Sequence, residues 1–251
     1  MKLGRKRPPH RAKLALKKYL DCSLLPMPPT FVDYASKAVD ALANVYENDV
    51  LGDCVIAGGY HCVGVWTGNA GAAPFVATRD QIIADYAAIG GYVPGDPSTD
   101  NGCDEQTALR YWSQKGFADG SKIAGFCGVD ATDIRETMTA IYLFEDLLLG
   151  IELPDEWLRD TYAETWSIAG DPNPANGHCV VVVGYDGRGV QIATWGMIKT
   201  ITWSALAKYC APSSGGEMYV LFDRDELEAT GKSPAGFDAL ALLADLALLS
   251  S

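Results

Sequence analysis

The sequence lacks the features that define several large classes of protein. No apolar run reaches the roughly 18 residues that a membrane-spanning helix needs. The basic N-terminus is not followed by the apolar core and small-residue cleavage site of a signal peptide. The seven cysteines are widely spaced without a Cys-x-x-Cys pair, which argues against a disulfide framework and against a structural zinc site. A glycine-rich phosphate loop is also missing. We therefore expect a cytoplasmic protein with no cofactor, no metal ion and no membrane partner.

Basic residues are scarce outside the N-terminus. Residues 1–18 hold eight Lys or Arg and no acid, which leaves 12 basic groups against 32 acidic groups in the rest of the chain. A basic arm on an acidic body can bind nucleic acid, lie on its own body or contact a neighbouring protein. Nucleic acid is the least favoured, because no basic patch with interleaved aromatic residues accompanies the arm. We divide the chain into a basic N-terminal arm, residues 1–30, and a folded domain, residues 31–251, and regard the arm as a candidate contact for a protein partner.

Helical signals dominate the first half of the domain. Asp53 is in the N-cap position for a helical run that continues to about Trp66. Thr78 stands three residues before Gln81, which is a capping-box signature and predicts a helix that ends near residue 90. Two further helices are predicted over residues 105–115 and 132–142.

Strand signals dominate the second half. The stretches DLLLGIELP, HCVVVVGYD, GVQIATWG and MYVLFD have the apolar character of buried strands, and the second and third form a hairpin that turns at Asp186-Gly187. The last stretch, GFDALALLADLALLSS, is amphipathic and predicts a C-terminal helix. Helices followed by strands predict an α+β fold, in which a helical half packs on a strand-rich half.

The stretch GDPSTDNGCDE is rich in turn residues. Asp96, Ser98 and Asp100 alternate as the ligands of a calcium loop do. However, Asn101 stands where that loop has glycine, and Thr107 stands where it has a bidentate glutamate. We therefore predict a solvated loop without a metal ion.

A cysteine, Cys54, opens the first predicted helix. Unpaired backbone N–H groups and the positive end of the helix dipole favour the thiolate there, which is the form that attacks a substrate. The neighbouring carboxylate of Asp53 acts in the opposite direction. Most cytosolic cysteines are small buried hydrophobic residues. Cys54 can act as a nucleophile only if a base lies within hydrogen-bond reach.

Only three histidines are available as that base. His10 lies in the basic arm, where we expect it to be solvated. His61 lies seven residues further along the same helix as Cys54, about 10 Å up the axis, and cannot touch it. His178 opens a predicted strand, where a rigid sheet can direct its side chain into a cleft. A histidine in that position is more often structural, and it is the pairing with Cys54 that favours a catalytic role.

Four segments resemble, in the same order, the papain-like cysteine peptidase family. FVDYASKAVDALANVYENDVLGDC resembles the family segment that begins Val-Asp-Trp and ends in Gln, five residues and Cys. NGCDEQTALRYWSQKGF resembles its second glycine-led helix, GHCVVVVGYD its histidine-containing strand, and IATWG its Asn-Ser-Trp-Gly turn. The NDVLGDC and TWG boxes are similar to those of small papain-like proteins of bacteria and their phages. The resemblance implies a papain-like fold, with the helical half packed against an antiparallel, barrel-like half.

The same resemblance implies roles for individual residues. Cys54 matches the nucleophile and His178 the base. Asn48 matches the glutamine that lines the oxyanion hole, although its side chain is one methylene shorter. Ala193 stands where the family has the asparagine that orients the histidine. The hydroxyl of the next residue, Thr194, is expected on the other face of its strand unless the register slips by one residue.

Three functions remain open at this point. The first is a thiol hydrolase that cleaves a peptide or amide bond in a peptide or protein substrate, through a Cys54 acyl-enzyme with His178 as base and then acid. The second is a catalytically weak or inactive protein that uses the same fold for binding or structure, such as a component of a phage or prophage particle. The third is acyl transfer to an amine in place of water.

Overall fold

The computed structural model describes residues 1–23, 25–223, 238, 241, 242, 244, 245 and 248, and its architecture is α+β. Residues 1–223 contain seven α-helices and one eight-stranded sheet. The helices are α1 (Val39–Leu42), α2 (Cys54–Asn69), α3 (Arg79–Gly90), α4 (Glu105–Gln114), α5 (Ile134–Phe144), α6 (Asp155–Arg159) and α7 (Trp203–Tyr209). The strands are β1 (Val32–Asp33), β2 (Ile123–Gly128), β3 (Leu147–Glu152), β4 (Thr165–Trp166), β5 (Gly177–Tyr185), β6 (Gly189–Thr194), β7 (Met197–Thr202) and β8 (Glu217–Asp223).

The helix boundaries follow from capping side chains. The capping box predicted before α3 is present, because Thr78 Oγ1 accepts a bond from the backbone N–H of Gln81 and Gln81 Oε1 accepts one from the N–H of Thr78. Asp104 caps α4 in the same way. Asp133 caps α5, which therefore begins two residues later than predicted.

The sheet is open, which corrects the expectation of a barrel-like half. Its strands are ordered β2-β8-β3-β5-β6-β7-β4, with β1 paired to β5, and the terminal strands β2 and β4 do not pair with each other among the described residues. Every pairing is antiparallel except that of β4 with β7. The predicted hairpin is confirmed as β5 and β6, and β5 lies near the middle of the sheet.

Two hydrophobic cores meet at β5. Val180 and Val182 face one core, which contains helices α5 and α7, whereas Val181 and Val183 face the other, which contains α2, α3 and α4. Successive side chains of a strand point to opposite faces. The unbroken apolar run in β5 therefore reflects burial on both sides, and a residue at the start of this strand lies between the two halves.

A glycine in α2 allows that helix to lie close to the sheet. A Cβ atom at Gly58 would be 2.8 Å from Leu148 Cδ1 and 3.2 Å from Cys179 Sγ. Glycine lowers helix propensity, but here it removes a collision with β3 and β5. The close packing places the N-terminus of α2, and with it Cys54, beside the start of β5.

The basic arm lies on its own domain. The backbone N–H of Gly128 donates to the carbonyl of Leu14, and Leu14, Leu16 and Leu20 are buried in the core of α5 and α7. A short 3₁₀ turn forms at Leu16–Lys18. In the described part of the chain, none of the helices combines the length and the apolar character needed to cross a membrane.

The C-terminal helix predicted over residues 236–251 lies largely outside the described residues. Of the positions that are described, Leu242 is buried and the N–H of Asp238 donates to the carbonyl of Tyr19. Residue 238 thus contacts the arm.

Candidate active site

Cys54 and His178 lie on different elements that meet at one small cavity. Cys54 is the first residue of α2, and His178 is the second residue of β5. Each is only 1% exposed, and both line a cavity of about 10 Å³. Such a cavity holds about one water molecule. The structure brings together the two residues that the sequence predicts as nucleophile and base.

The ring of His178 is held by two neighbours. Its Nε2 lies 2.8 Å from Thr194 Oγ1, which is a hydrogen-bonding distance. The indole of Trp195 stacks on the imidazole, with ring centroids 4.3 Å apart. The second ring nitrogen, Nδ1, is buried and has no hydrogen-bond partner among the described residues. Nδ1 is therefore the nitrogen left available to take up a proton.

The expectation that Thr194 faces away from His178 is wrong. In the β5–β6 ladder, Val181 lies opposite Ala193. Side chains directly opposite each other share a face, and the next residue along each strand points to the other face. Thr194 therefore lies on the same face as Val180 and His178. The hydroxyl that contacts the His178 ring thus belongs to Thr194, the residue after Ala193.

Asn48, the predicted oxyanion-hole donor, is engaged with protein acceptors. Its Nδ2 donates to Asp53 Oδ1 at 3.2 Å and to the carbonyl of Leu51 at 3.1 Å, and it lies 3.5 Å from the carbonyl of Lys2. Asp53 is at the N-cap position of α2 but makes no capping bond through its side chain. Burial raises the pKa of Asp53 to about 8, an effect that the bond from Asn48 partly offsets.

Both Cys54 and His178 are neutral in this closed conformation. Burial raises the pKa of the Cys54 thiol to about 12, and the backbone N–H groups of Cys179 and Gly4 only partly offset this effect. Burial also lowers the pKa of His178 to about 3. Burial thus favours the neutral thiol and the neutral imidazole over a thiolate–imidazolium pair.

The other two histidines are placed differently. His61 lines the same cavity, but its Nε2 lies 3.0 Å from the carbonyl of Asn44 and its ring packs against Tyr46. Burial lowers the pKa of His61 to about 4. His10 is exposed in the arm. Of the three histidines, His178 is therefore the one that lines the cavity with Cys54 and still has a ring nitrogen without a partner among the described residues.

The first residues of the arm cover the candidate nucleophile. The backbone N–H of Arg5 donates to the carbonyl of Gly177, which precedes His178. On the other side of the arm, the N–H of Cys103 donates to the carbonyl of Gly4, and the N–H of Lys6 donates to the carbonyl of Cys103. The arm is thus bonded along both walls of the cleft, and its Gly4 lies next to the Cys54 thiol.

The loop before α4 is exposed over residues 95–98 and at residue 101, as predicted, but the side chain of Asp100 is buried and binds the arm. The Asp100 side chain is 2% exposed, forms an ion pair with Lys2 and accepts bonds from the hydroxyl of Tyr86 and the N–H of Gly52. No group of three or more His, Cys, Asp or Glu side chains in the described part of the chain is arranged to hold a metal ion.

A second contact with the arm was not predicted from the sequence. The guanidinium of Arg5 is buried between Glu105 and Glu217, next to the cleft. The only sequence signal for it is the contrast between the basic arm and the acidic domain. That contrast predicts a contact but does not identify which carboxylates make it.

Known structures with a similar fold are cysteine proteases. Xylellain, a cysteine protease from Xylella fastidiosa, is 15% identical and superposes with a TM-score of 0.61, covering 88% of this chain and 97% of that chain. A cysteine protease of Carica candamarcensis is 14% identical with a TM-score of 0.54, covering 78% of this chain and 99% of that one. The proform of a ragweed pollen cysteine protease is 15% identical with a TM-score of 0.59, and the superposition covers 84% of this chain and 70% of that one.

No protein-family model and no curated protein matches the sequence. At these low identities the structural likeness establishes the fold, and the meeting of a helix N-terminus and a central strand at Cys54 and His178 agrees with it. The chain has the fold of the papain-like cysteine proteases.

Proposed function

We propose that this protein is a thiol hydrolase that cleaves peptide or amide bonds through an acyl-enzyme on Cys54. The observation that carries the proposal is the state of the His178 ring. Thr194 engages Nε2, Nδ1 has no hydrogen-bond partner among the described residues, and His178 lines the same cavity as Cys54. A nucleophile, a base and a group that orients the base are the three parts that such chemistry requires.

The reaction uses these groups in two steps. His178 takes the thiol proton, Cys54 Sγ bonds to the carbonyl carbon, and the C–N bond breaks as the imidazolium returns the proton to the leaving amine. Water then attacks the thioester, so that a C–O bond forms, the C–S bond breaks and the thiol is restored. The backbone N–H of Cys54 stabilises the oxyanion, and Asn48 joins it by exchanging its bond to Asp53 for one to the oxyanion.

A substrate can reach Cys54 only after the arm moves. The cavity of about 10 Å³ cannot admit a peptide, and the arm occupies both walls of the cleft. When the arm leaves, water enters and reduces the desolvation that now suppresses both charges. The pKa of Cys54 should then fall and that of His178 should rise, which favours the reactive ion pair.

The test is the rate of iodoacetamide alkylation at Cys54 as a function of pH, measured by mass spectrometry. Four proteins are compared: the wild type, H178A, R5A and R5A/H178A. R5A removes the buried side chain that holds the arm. We expect slow alkylation in the wild type, fast alkylation below pH 7 in R5A, and loss of that fast phase in R5A/H178A. Cys22, which is half-buried and lies away from the site, provides an internal reference.

An ordinary thiol profile in R5A that H178A leaves unchanged would rule out the hydrolase. It would favour the second function, a binding or structural protein that retains the fold, for which a place in a phage or prophage particle stays a proposal. The burial of Cys54 and the engagement of Asn48 with Asp53 are the observations that favour this alternative.

A further inference from the structure

The domain binds Arg5 through hydrogen bonds from Nε and Nη2, while Nη1 is buried and has no hydrogen-bond partner among the described residues. Its side chain is fully buried. Nη2 donates to Glu217 Oε1 at 2.6 Å and to the carbonyl of Gly215 at 2.9 Å, and Nε donates to Glu217 Oε1 at 3.1 Å. A planar guanidinium satisfies these acceptors, whereas the single ammonium of lysine would not reach all of them in the same way.

The pocket places a second buried carboxyl group, that of Glu105, beside the guanidinium of Arg5. Glu105 is fully buried, lies 3.8 Å from Arg5 Nε, and neither of its carboxylate oxygens has a hydrogen-bond partner among the described residues. Burial, followed by the proximity of Glu217, raises the pKa of Glu105. An occupant with a positive charge pairs with the Glu217 carboxylate, as Arg5 does, whereas a neutral occupant would leave that buried carboxylate without a charged partner.

The pocket is also shaped for a large side chain. A Cβ atom at Gly150 would be 2.7 Å from Glu105 Oε1 and would overlap the guanidinium of Arg5. Glycine at this position of β3 therefore leaves the space that the guanidinium fills. A groove of about 620 Å³ between the arm and the domain shares Gly215 and Glu217 with the pocket.

The pocket lies one residue from the candidate nucleophile. Gly4 is next to the Cys54 thiol, and the N–H of Arg5 is bonded to the carbonyl of Gly177, beside His178. An extended chain in the cleft thus presents one side chain to this pocket while its backbone passes Cys54. Arg5 occupies the position that such a side chain would take.

We propose that the pocket formed by Glu105, Glu217, Gly150 and Gly215 recognises an arginine side chain of the substrate. The substrates are then peptides or proteins that carry arginine one residue from the residue that lies against Cys54, and Arg5 of the arm competes with them for the pocket. The claim that the bound peptide is a substrate rests on the proposed function, but binding to the pocket can be measured without catalysis.

The test uses the full chain with Cys54→Ala, so that no turnover occurs, and with Arg5→Ala, so that the pocket is vacated. The probes are acetyl-Gly-Arg-Gly-Gly-amide and the same peptide with citrulline, which keeps the shape of arginine but has no charge. Binding is measured by titration calorimetry. We expect the arginine peptide to bind at least about tenfold more tightly than its citrulline twin, because hydrogen bonds between charged groups are the stronger ones.

Two matched variants locate the effect. Adding Glu217→Gln should abolish the preference for arginine. C54A/K6A, which removes an exposed basic residue of the arm but retains Arg5, should not gain affinity, because Arg5 still fills the pocket. Should the unpaired carboxylates prevent C54A/R5A from folding, the same chain with Glu105→Gln removes one buried charge, and Glu217 alone should still prefer arginine.

Equal affinity for the two peptides, or no binding of either by a folded variant, would overturn the proposal and leave Arg5 as a structural anchor of the arm. A preference for arginine together with an unreactive Cys54 would support the pocket as a recognition site and contradict the proposed hydrolase activity. A reactive Cys54 without that preference would support the proposed hydrolase activity and contradict arginine recognition by the pocket.

Discussion

At the scale of single residues, the candidate base depends on a hydroxyl for its orientation. Thr194 provides the only hydrogen-bond partner of the His178 ring among the described residues, and Trp195 covers one ring face. A threonine offers one hydrogen bond to Nε2, and its methyl group limits its rotamers. The orientation of His178 should therefore be sensitive to loss of the hydroxyl and insensitive to loss of the methyl group.

We predict that Thr194→Ala lowers the rate of Cys54 alkylation below pH 7, in the R5A background, by about fivefold, since a net hydrogen bond contributes about 1 kcal/mol. Thr194→Ser should restore most of the rate. The measurement is the full pH profile, because a positioning role changes the acidic limb whereas general destabilisation does not. If the alanine and serine variants behave alike, Thr194 does not position His178.

Asp53 provides a second prediction at this scale, which concerns stability. Its carboxyl group is fully buried, and its pKa of about 8 in the folded protein exceeds the ordinary value of 3.8. The folded state therefore holds the proton more tightly than the unfolded state. This contribution to stability is complete below pH 3.8 and is lost as the pH rises towards 8.

Asp53→Asn cannot ionise and retains an oxygen that can accept the bond from Asn48. We expect the variant to exceed the wild type in free energy of unfolding by several kcal/mol, on the order of 5, at pH 8, and to differ little at pH 4. Urea denaturation at both pH values measures the difference. Asp80→Asn, at an exposed carboxylate in the first turn of α3, is the control and should show no gain at pH 8. An equal effect of D53N at both pH values would contradict the raised pKa.

At the scale of elements, the site depends on how closely α2 approaches the sheet. We predict that Gly58→Ala destabilises the protein by about 1–3 kcal/mol, because its Cβ would be 2.8 Å from Leu148 Cδ1 and would force the packing apart. Helix propensity alone predicts a gain of roughly 1 kcal/mol, so the sign of the change distinguishes the two effects.

Gly187→Ala is the matched control for this measurement, because a Cβ at that position of the β5–β6 turn meets no atom within 4 Å. It should change the free energy of unfolding by little. A stabilising effect of Gly58→Ala would mean that α2 is not pressed against β3 and β5 as the structure has it.

The elements also show what the sequence could and could not predict. The box of Thr78 and Gln81 predicts the start of α3 correctly, because both partners lie within one helical turn. The predicted side-chain direction of Thr194 was wrong because that direction depends on the register of β6 against β5. The burial of the Asp100 side chain was not predicted because its partner, Lys2, is 98 residues away. Local signals define elements, whereas the site depends on contacts between distant segments.

At the scale of the whole molecule, the arm is held in two different ways. Its inner part, residues 2–7, is bound by backbone hydrogen bonds and by ion pairs to carboxylates such as Asp100 and Glu217. Its outer part, residues 14–20, is buried in the core of α5 and α7. Polar contacts at the cleft can exchange for those of a ligand, whereas burial in a core is lost only on unfolding. The inner part should therefore open while the outer part stays in place.

We predict that Arg5→Ala separates these two parts in hydrogen exchange. Removing one partner of a buried ion pair leaves the other charge uncompensated, which is strongly destabilising. The amides of Lys6 and Cys103, which bond across the cleft, should exchange at least about tenfold faster in R5A. The amide of Gly128, which donates to Leu14, should keep its protection. Lys6→Ala removes an exposed charge and should change neither group. If all of these amides lose protection together, the arm and the domain unfold as one unit, and the cleft cannot open without global unfolding.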